Sequence, residues 1–438
     1  MRVSVIGAGH LGTIHAACLA GLGHQVVAVD CDAERVAQLR TGSAPFHEPG
    51  LDQLLVAGMS SGRLSFHTEL EFVDDADVHF ICVGTPQAIG AGRADLSFVW
   101  DVADSLAPRL RRPCLLVGRS TVPVGTAVTL RDRMRQTSPA GTAVDVAWNP
   151  EFLREGYAVS DFLHPDRLVL GVDEPSTAVL LEEIYAPLIA DGVPVVRTDL
   201  ATAELAKVSA NAMLASRVSM VNLLAEVCER SGADVADLIR IVGLDHRIGA
   251  DYLSPGVGFG GGCLPKDLRA LVARGHELGV GTSLRLLVEV DRVNTHQRDR
   301  AVDVAAALLA EASDQPRVAV LGAAFKGGCD DVRDSPALSI ASALRRRGAA
   351  VRVFDPQAMP NAHRAHPELS YAGSVTAACV AADLVMVLTD WPELAGIDPV
   401  ALSATVRTPT VIDGRLLLDR DKWTAAGWQV YALGRPVR

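Results

Sequence analysis

Residues 2–30 read RVSVIGAGHLGTIHAACLAGLGHQVVAVD, and the order of their parts decides the fold. RVSVIG has the run of small and β-branched apolar residues of a buried strand, TIHAACLAGLG has the pattern of a helix, and HQVVAVD is a second strand. This is a βαβ unit. At its first junction Gly7, Gly9 and Gly12 complete G-x-G-x-x-G, with Leu11 inside the turn. Glycine there permits the tight turn and lets backbone N–H groups meet a pyrophosphate at the helix N-terminus. Asp30 closes the second strand, about 20 residues on, where a carboxylate accepts from a ribose diol and repels a 2′-phosphate. NAD is therefore expected over NADP, with FAD as the competing dinucleotide. Arg35, one turn further, reads either as a neighbour of the adenosine ribose or as a solvated helix charge.

Outward from this unit, VHFICVG, CLLVGRS and VAWNP continue as strands separated by helix-length segments, the rhythm of a doubly wound parallel sheet. This first block is expected to end at residue 198. From Asp199 a stretch rich in Ala and Leu runs to about Gly232 without internal Gly or Pro. It predicts one long helix, apolar on more than one face and so buried between domains or subunits. A homodimer is expected from it. The central helical block is read as 199–314, with the EASDQP junction following. A second α/β block, 315–438, holds RVAVLGAAF, AVRVFDP, DLVMVLTD and TPTVIDGR as strands. Its opening turn lacks the G-x-G-x-x-G spacing. The predicted fold class is α/β, two Rossmann-like domains joined by a long-helix region.

Composition bounds the partners. The 438 residues carry a net charge of −11 and are 49% hydrophobic, enough for two or three cored domains. With no basic run, a nucleic-acid footprint is not expected. Apolar stretches are strand-sized, so no membrane span is expected. Met1 runs straight into the first strand with no leader pattern, so a cytoplasmic location is expected. The eight cysteines include no C-x-x-C pair and are read as reduced thiols, with no metal site.

The sharpest chemistry lies in VGFGGGCLPKDLRAL. Pro265 suits a first helical turn, which puts Cys263 just before a helix start, where exposed N–H groups and the helix dipole favour a thiolate. The glycine run is expected to clear side chains from around the sulfur. Asp267 lies one turn on. Lys207 and Asn211, at i and i+4 on the long helix, share a face. They read either as two donors aimed at a developing oxyanion or as a snorkelling Lys and a satisfied interfacial Asn. Glu151 and Glu155 follow the strand VAWNP at the sheet edge where open α/β sheets bind ligands. Thr121, after CLLVGRS, places a hydroxyl at the same edge. Loop acids and strand-end capping would look alike there.

Together GAGHLG, HEPGLDQLL, VGTPQAIGAGRADLSFV, STVPVGT, NPEFLREG, AELAKVSANAMLASRVSMVN, SPGVGFGGGCLPKDL and AFKGGCDDVRDSPAL resemble, in order, the UDP-glucose/GDP-mannose dehydrogenase family. The resemblance spans nearly the whole chain. It implies an NAD domain, a central dimerisation region, a nucleotide-sugar domain, and oxidation of a sugar CH₂OH to a carboxylate through a cysteine adduct. It implies Cys263 as nucleophile, with Asp267 and Lys207 holding a water for the first deprotonation. Lys207 and Asn211 would stabilise oxyanions, and Glu151 with Thr121 would support thioester hydrolysis. By the same resemblance Thr85, Glu155, Lys266 and Arg333 match cofactor contacts. Phe152, Leu153 and Arg154 of NPEFLREG match substrate-binding positions, as do Tyr252, Leu253, Ser254, Pro255 and Gly256. Gly260 and Lys326 match others, and Arg415 matches a further substrate contact. Arg247 matches an arginine that reaches the partner subunit's substrate. Cys329 and Val208 depart from the family pattern, which has Thr and an aromatic there.

RIG before YLSPG, and FGGGCLPKD, favour a glucose-type sugar, with UDP-glucose expected and dTDP-glucose or GDP-mannose as alternatives. A short β-hydroxyacid dehydrogenase accounts for neither the second α/β block nor Cys263. A non-catalytic nucleotide-sugar sensor is the reading from another class.

Overall fold

The computed structural model describes residues 1–311 and 315–436, so the expected junction at Asp314 lies outside the described residues. The chain divides into two compact units, Met1–Ala210 with Ala273–Gly279, and Asn211–Val272 with Val280–Arg438.

In the first unit the strand Arg2–Ile6 lies between Gln25–Val29 and Val78–Ile81, and helix α1 (His10–Gly21) crosses from the first strand to the second. The sheet continues through Leu64–His67 on one side. On the other it runs through Cys114–Gly118, Val144–Trp148, Leu168–Gly171 and Val195–Thr198, eight strands in all. Alternate residues feed opposite faces. Val78, Phe80, Leu115 and Val117 pack into one buried cluster, while Ile81 and Leu116 pack into the other. Both faces of this sheet are thus covered, which is why its strands read as near-continuous apolar runs.

One departure from an all-parallel sheet matters. Trp148 pairs with Gly171 antiparallel, so the chain leaves one strand and enters the next at the same edge. The whole segment between them, NPEFLREG included, therefore stays on the carboxyl side of the sheet, where ligands bind in open α/β folds. The segment between Trp148 and Leu168 has the length of an ordinary crossover, so the reversal leaves no mark in the sequence. Helix α2 (Thr126–Thr137) follows the STVPVG loop.

Helix α3 (Leu200–Ser231) is the predicted long helix. It contributes Leu200–Ala210 to the first unit and its remainder to the second. The second unit also holds α4 (Leu264–Glu277, to Val272), α5 (Arg285–Leu308) and a six-stranded parallel sheet. Its strands, in spatial order, are Ser370–Tyr371, Ala350–Phe354, Arg317–Leu321, Leu384–Val387, Thr410–Asp413 and Gln429–Ala432. This repeats the first sheet's strand order about its opening strand. The repeat extends to detail: Gly7 N–H donates to Val29 O (2.8 Å) and Gly322 N–H to Phe354 O (2.7 Å). Asp355 follows its strand as Asp30 does, but its carboxylate accepts from the N–H groups of Ala323, Ala324, Gln357 and Ala358 and from Trp391 Nε1, at 2.7–3.0 Å. The acid of the second fold is a staple of its own turn.

Candidate active site

The dinucleotide turn is built for close backbone approach. A side chain at Gly12 would overlap the Gly7 carbonyl, whereas the space beside Gly9 is open. Helix α1 starts without a side-chain cap and with no acid in its first turn, leaving N–H groups for an anion. Asp30 is buried. Its Oδ2 accepts from Ala8 N–H (2.7 Å), and its Oδ1 accepts from Asp32 N–H (2.9 Å) and Arg35 Nη1 (3.0 Å). Arg35 is thus held at Asp30 rather than left as a solvated charge. The acid both ties the turn to the second strand and keeps oxygen lone pairs at the ribose end. These residues fit a dinucleotide that lacks a 2′-phosphate. Asp30→Ala is expected to weaken NAD binding at least about tenfold, the cost of a hydrogen bond to a charged group, with a smaller effect on the KM for the sugar nucleotide. Equal losses in a fluorescence titration of NAD and in that KM would contradict the assignment.

At the same sheet edge Thr85 Oγ1 donates to Thr121 O (2.7 Å), which brings two expected site residues together. Glu151 Oε1 meets Lys207 Nζ at 2.9 Å, with the two side chains only 11% and 7% exposed. Glu151 Oε2 accepts from Leu153 N–H (2.6 Å). Burial is the largest single influence on this carboxyl and pushes its pKa up. Lys207, the Leu153 N–H and the charge of Arg119 together outweigh it, so the group is held below the ordinary carboxylate range. Lys207 is therefore a buried ion-pair partner and not a snorkelling side chain. The Phe152 ring lies 5.8 Å from its ammonium and 3.9 Å from the Arg167 guanidinium. Arg154, an expected substrate contact, forms a two-pronged pair with Asp161 (2.6 and 3.0 Å).

Two buried acids escaped the sequence reading. Glu204 accepts from Gly125 N–H (2.7 Å) and Ala127 N–H (2.6 Å), so α3 caps α2 and fixes the loop after Thr121. Burial pushes its carboxyl up to about 7 against those N–H groups and Arg274. Glu48 accepts from Gly156 N–H and Ala158 N–H, both 2.7 Å, and lies 3.3 Å from His10 of the dinucleotide turn. The available signals were an acid among apolar residues in AELAK and one beside Pro-Gly in HEPG.

In the second unit Cys263 is exposed and immediately precedes α4. Burial pushes Cys18, Cys82 and Cys379 up to about 12, so these three are poor nucleophiles. Asp267 is buried in the first turn of α4, and its N–H donates to Cys263 O (2.9 Å). It accepts from Asn211 Nδ2 (2.7 Å) and Lys266 Nζ (2.5 Å). The structure thus joins Asn211, Lys266 and Asp267 beside the Cys263 turn.

The glycine run has a different cause from the one expected. A Cβ at Gly262 would overlap the Arg333 guanidinium, and one at Gly258 would lie 2.6 Å from Asn294 Oδ1. Those glycines admit neighbouring groups that already fill the space; they do not clear it. Arg333 is itself paired with Asp331 (2.7 Å), Lys326 lies over the Phe325 ring, and Cys329 is buried with its thiol directed at Lys326 O (3.4 Å). Arg415 donates to Leu388 O (2.9 Å) and Phe325 O (3.0 Å) and lines Gly256. Tyr252 holds a φ of +57°, a left-handed conformation that costs a bulky residue about 1–2 kcal/mol. Arg247 is 77% exposed and paired with Asp245 (2.6 Å).

The turn and its acid, on an eight-stranded sheet, define a dinucleotide-binding α/β protein. Residues 1–189 match the NAD binding domain of the UDP-glucose/GDP-mannose dehydrogenase family, residues 201–296 its central domain and residues 319–420 its UDP binding domain. The chain belongs to that family and is an NAD-dependent nucleotide-sugar dehydrogenase. It is 40% identical over 444 residues to a UDP-glucose 6-dehydrogenase of Rhizobium meliloti, and 37% identical over 445 residues to one of Rickettsia conorii, each covering 100% of both chains. A UDP-glucose dehydrogenase structure from Pyrobaculum islandicum matches with a TM-score of 0.90 at 35% identity, covering 99% of this chain and 98% of that one.

Proposed function

We propose that the protein oxidises the C6 hydroxymethyl group of UDP-glucose to the carboxylate of UDP-glucuronate, consuming one water. The observation that carries this reading is the exposed Cys263 thiol at the start of α4, with Asp267 in the following turn bonded to Lys266 beside it and to Asn211 of α3. Gly7, Gly9, Leu11, Gly12, Asp30, Arg35, Thr85 and Thr121 would hold NAD in the first unit, with Glu155, Lys266 and Arg333 as further contacts. When bound, NAD supplies the acceptor for one hydride in each two-electron step. Lys207 and Asp267 hold the water that takes the hydroxyl proton as the alcohol becomes an aldehyde. The Cys263 thiolate then adds to the aldehyde carbon, and the oxygen takes up a proton to give a thiohemiacetal. Loss of that proton and of a second hydride leaves a thioester. Water, placed by Thr121 and deprotonated by Glu151, attacks the acyl carbon, and the C–S bond breaks to regenerate the thiolate. Lys207 and Asn211 stabilise the oxyanions.

The same reading assigns Phe152, Leu153 and Arg154, the loop Tyr252–Gly256, Gly260, Lys326 and Arg415 to the sugar nucleotide. It divides the chain at 198 and 314 into NAD, central and nucleotide-sugar domains. It also makes the protein a cytoplasmic homodimer in which Arg247 serves the partner's site. In support, Met213, Met220 and Val227 of α3 recur every seven residues and are more than half exposed, an apolar stripe suited to a second copy. Among the described residues no helix is long and apolar enough to cross a membrane.

The test is NADH formation with UDP-glucose, dTDP-glucose, GDP-mannose and UDP-N-acetylmannosamine in parallel. Two NADH per UDP-glucose consumed, with UDP-glucose preferred, is the expected result. Two NADH from a different sugar nucleotide overturns the substrate assignment, and none from any of them overturns the enzyme reading in favour of a sensor.

A further inference from the structure

We propose that one face of α5, carrying Asn294, Gln297 and Arg298, clamps the loop 252–262 and thereby sets the position of the Cys263 sulfur. This rests on the reading of Cys263 as the nucleophile.

The three residues stand at i, i+3 and i+4, one face of a helix. Asn294 Oδ1 accepts from Phe259 N–H (2.7 Å) and its Nδ2 donates to Phe259 O (3.0 Å). One side-chain amide thus engages both backbone groups of a residue, as a neighbouring strand would. Arg298 Nη2 donates to the same carbonyl (2.7 Å), and its Nη1 donates to Asp334 Oδ1 (2.8 Å). At the loop's other end Gln297 Nε2 donates to Gly256 O (2.8 Å), while Asn222 of α3 accepts from Gly256 N–H (2.8 Å). Gly256 and Phe259 have both backbone groups satisfied by side chains that are 1–2% exposed in the three amide residues and part-buried in Arg298. An irregular loop has no ladder to define its register, and buried amides with fixed partners supply one.

The clamp is close-fitted as well as bonded. Gly258 has φ +102°, and any side chain there would strike the Asn294 amide. Beyond Phe259, Gly261 N–H donates to Arg333 O (2.9 Å), and Cys263 follows two residues later. A shift at Phe259 therefore passes along a short braced backbone to the sulfur. Covalent chemistry tolerates little of this, since a displacement of about 1 Å costs roughly 10²-fold in rate. Asn294, Gln297 and Arg298 are positioning residues; their effect reaches the reaction through Cys263 and the substrate loop. The loop partners of Asn294 and Gln297 lie 35 and 41 residues away in sequence, so no local pattern announces the clamp.

The test uses the full-length protein with Asn294→Asp and Gln297→Ala. The first variant keeps the acceptor for Phe259 N–H and sets a carboxylate oxygen against the Phe259 carbonyl. Readouts are kcat, the KM for UDP-glucose, NAD affinity, the thermal midpoint, and the pH profile of iodoacetamide alkylation at the Cys263 peptide by mass spectrometry. Peptide resolution is needed because Cys31 is also exposed. Asn294→Asp is expected to lower kcat about 10²-fold and to change the Cys263 alkylation profile, with NAD affinity within about twofold of wild type. Gln297→Ala is expected to raise the KM for UDP-glucose about tenfold with a smaller change in kcat. A lowered thermal midpoint with unchanged alkylation, kcat and KM overturns the clamp and leaves a purely structural role. If Asn294→Asp does not fold, Gln297→Ala decides by the same criteria. Full turnover by Cys263→Ala would instead remove the nucleophile reading on which the clamp depends, a result distinct from unchanged clamp variants in an enzyme that needs its thiol.

Discussion

Cys263→Ala is expected to abolish formation of the acid product, lowering its rate by roughly 10³-fold or more, the scale seen when a covalent nucleophile is removed. NAD affinity should stay within about twofold, since the dinucleotide turn belongs to the other unit and is braced by its own contacts. The reason lies in how the proposed mechanism divides the four-electron oxidation. The aldehyde carbon must be returned to a tetrahedral centre bearing a hydrogen before a second hydride can leave, and a thiolate adds to it where an alanine methyl cannot. Any NADH the variant makes should stop at one per sugar, and the aldehyde should be trappable with a hydrazine. Cys263 suits the task because it is exposed at a helix start, whereas Cys18 and Cys82 are pushed up to about 12 by burial. Two NADH per sugar from the alanine variant, at a wild-type rate, would remove the thiol from the mechanism.

Much of this was legible in sequence where local chemistry is strong. The β-branched runs, the three glycines and Asp30 announce the first βαβ unit, and the uninterrupted stretch from Asp199 gives α3 to within a residue or two. Pro265 correctly marks the start of α4. What was illegible depends on long-range partners. The edge strands Ser370–Tyr371 and Gln429–Ala432 are short and half buried, so their apolar signal is weak. The antiparallel Trp148–Gly171 pairing leaves no local mark. Glu48, Glu204 and Asn294 bond to backbone between 35 and 110 residues away in sequence, and no spacing rule reaches that far. The glycine run was read as open space because its neighbours, Asn294 and Arg333, come from distant segments. Candidate residues within one turn of a motif are legible in the sequence; the distant groups that brace them, such as Glu48, Glu204 and Asn294, are not.

Lys207→Met is expected to destabilise the protein by about 3–5 kcal/mol at neutral pH, the scale for breaking one side of a buried ion pair, and to remove turnover. Both members of the pair are affected, Glu151 as much as Lys207. In the wild type Glu151 titrates below its ordinary range. The pair therefore contributes stability above pH 4.5, the usual value for this carboxyl, and loses it as pH falls through the depressed folded value. Without Lys207, burial is opposed only weakly, by the Leu153 N–H and the more distant charge of Arg119. The folded-state pKa then rises above the unfolded one, so the sign reverses: the variant is most unstable at high pH and recovers as Glu151 takes up a proton. Thermal midpoints measured from pH 4 to pH 8 should show the deficit shrinking toward the acid end. Lys207→Met with Glu151→Gln should cost less than the sum of the two single changes, because the double variant leaves no buried charge at the pair. A deficit that is constant with pH and additive in the double variant would mean that Lys207 acts through its aliphatic packing, and would break the link between this ion pair and the proposed role of an ionised Glu151 in deprotonating water.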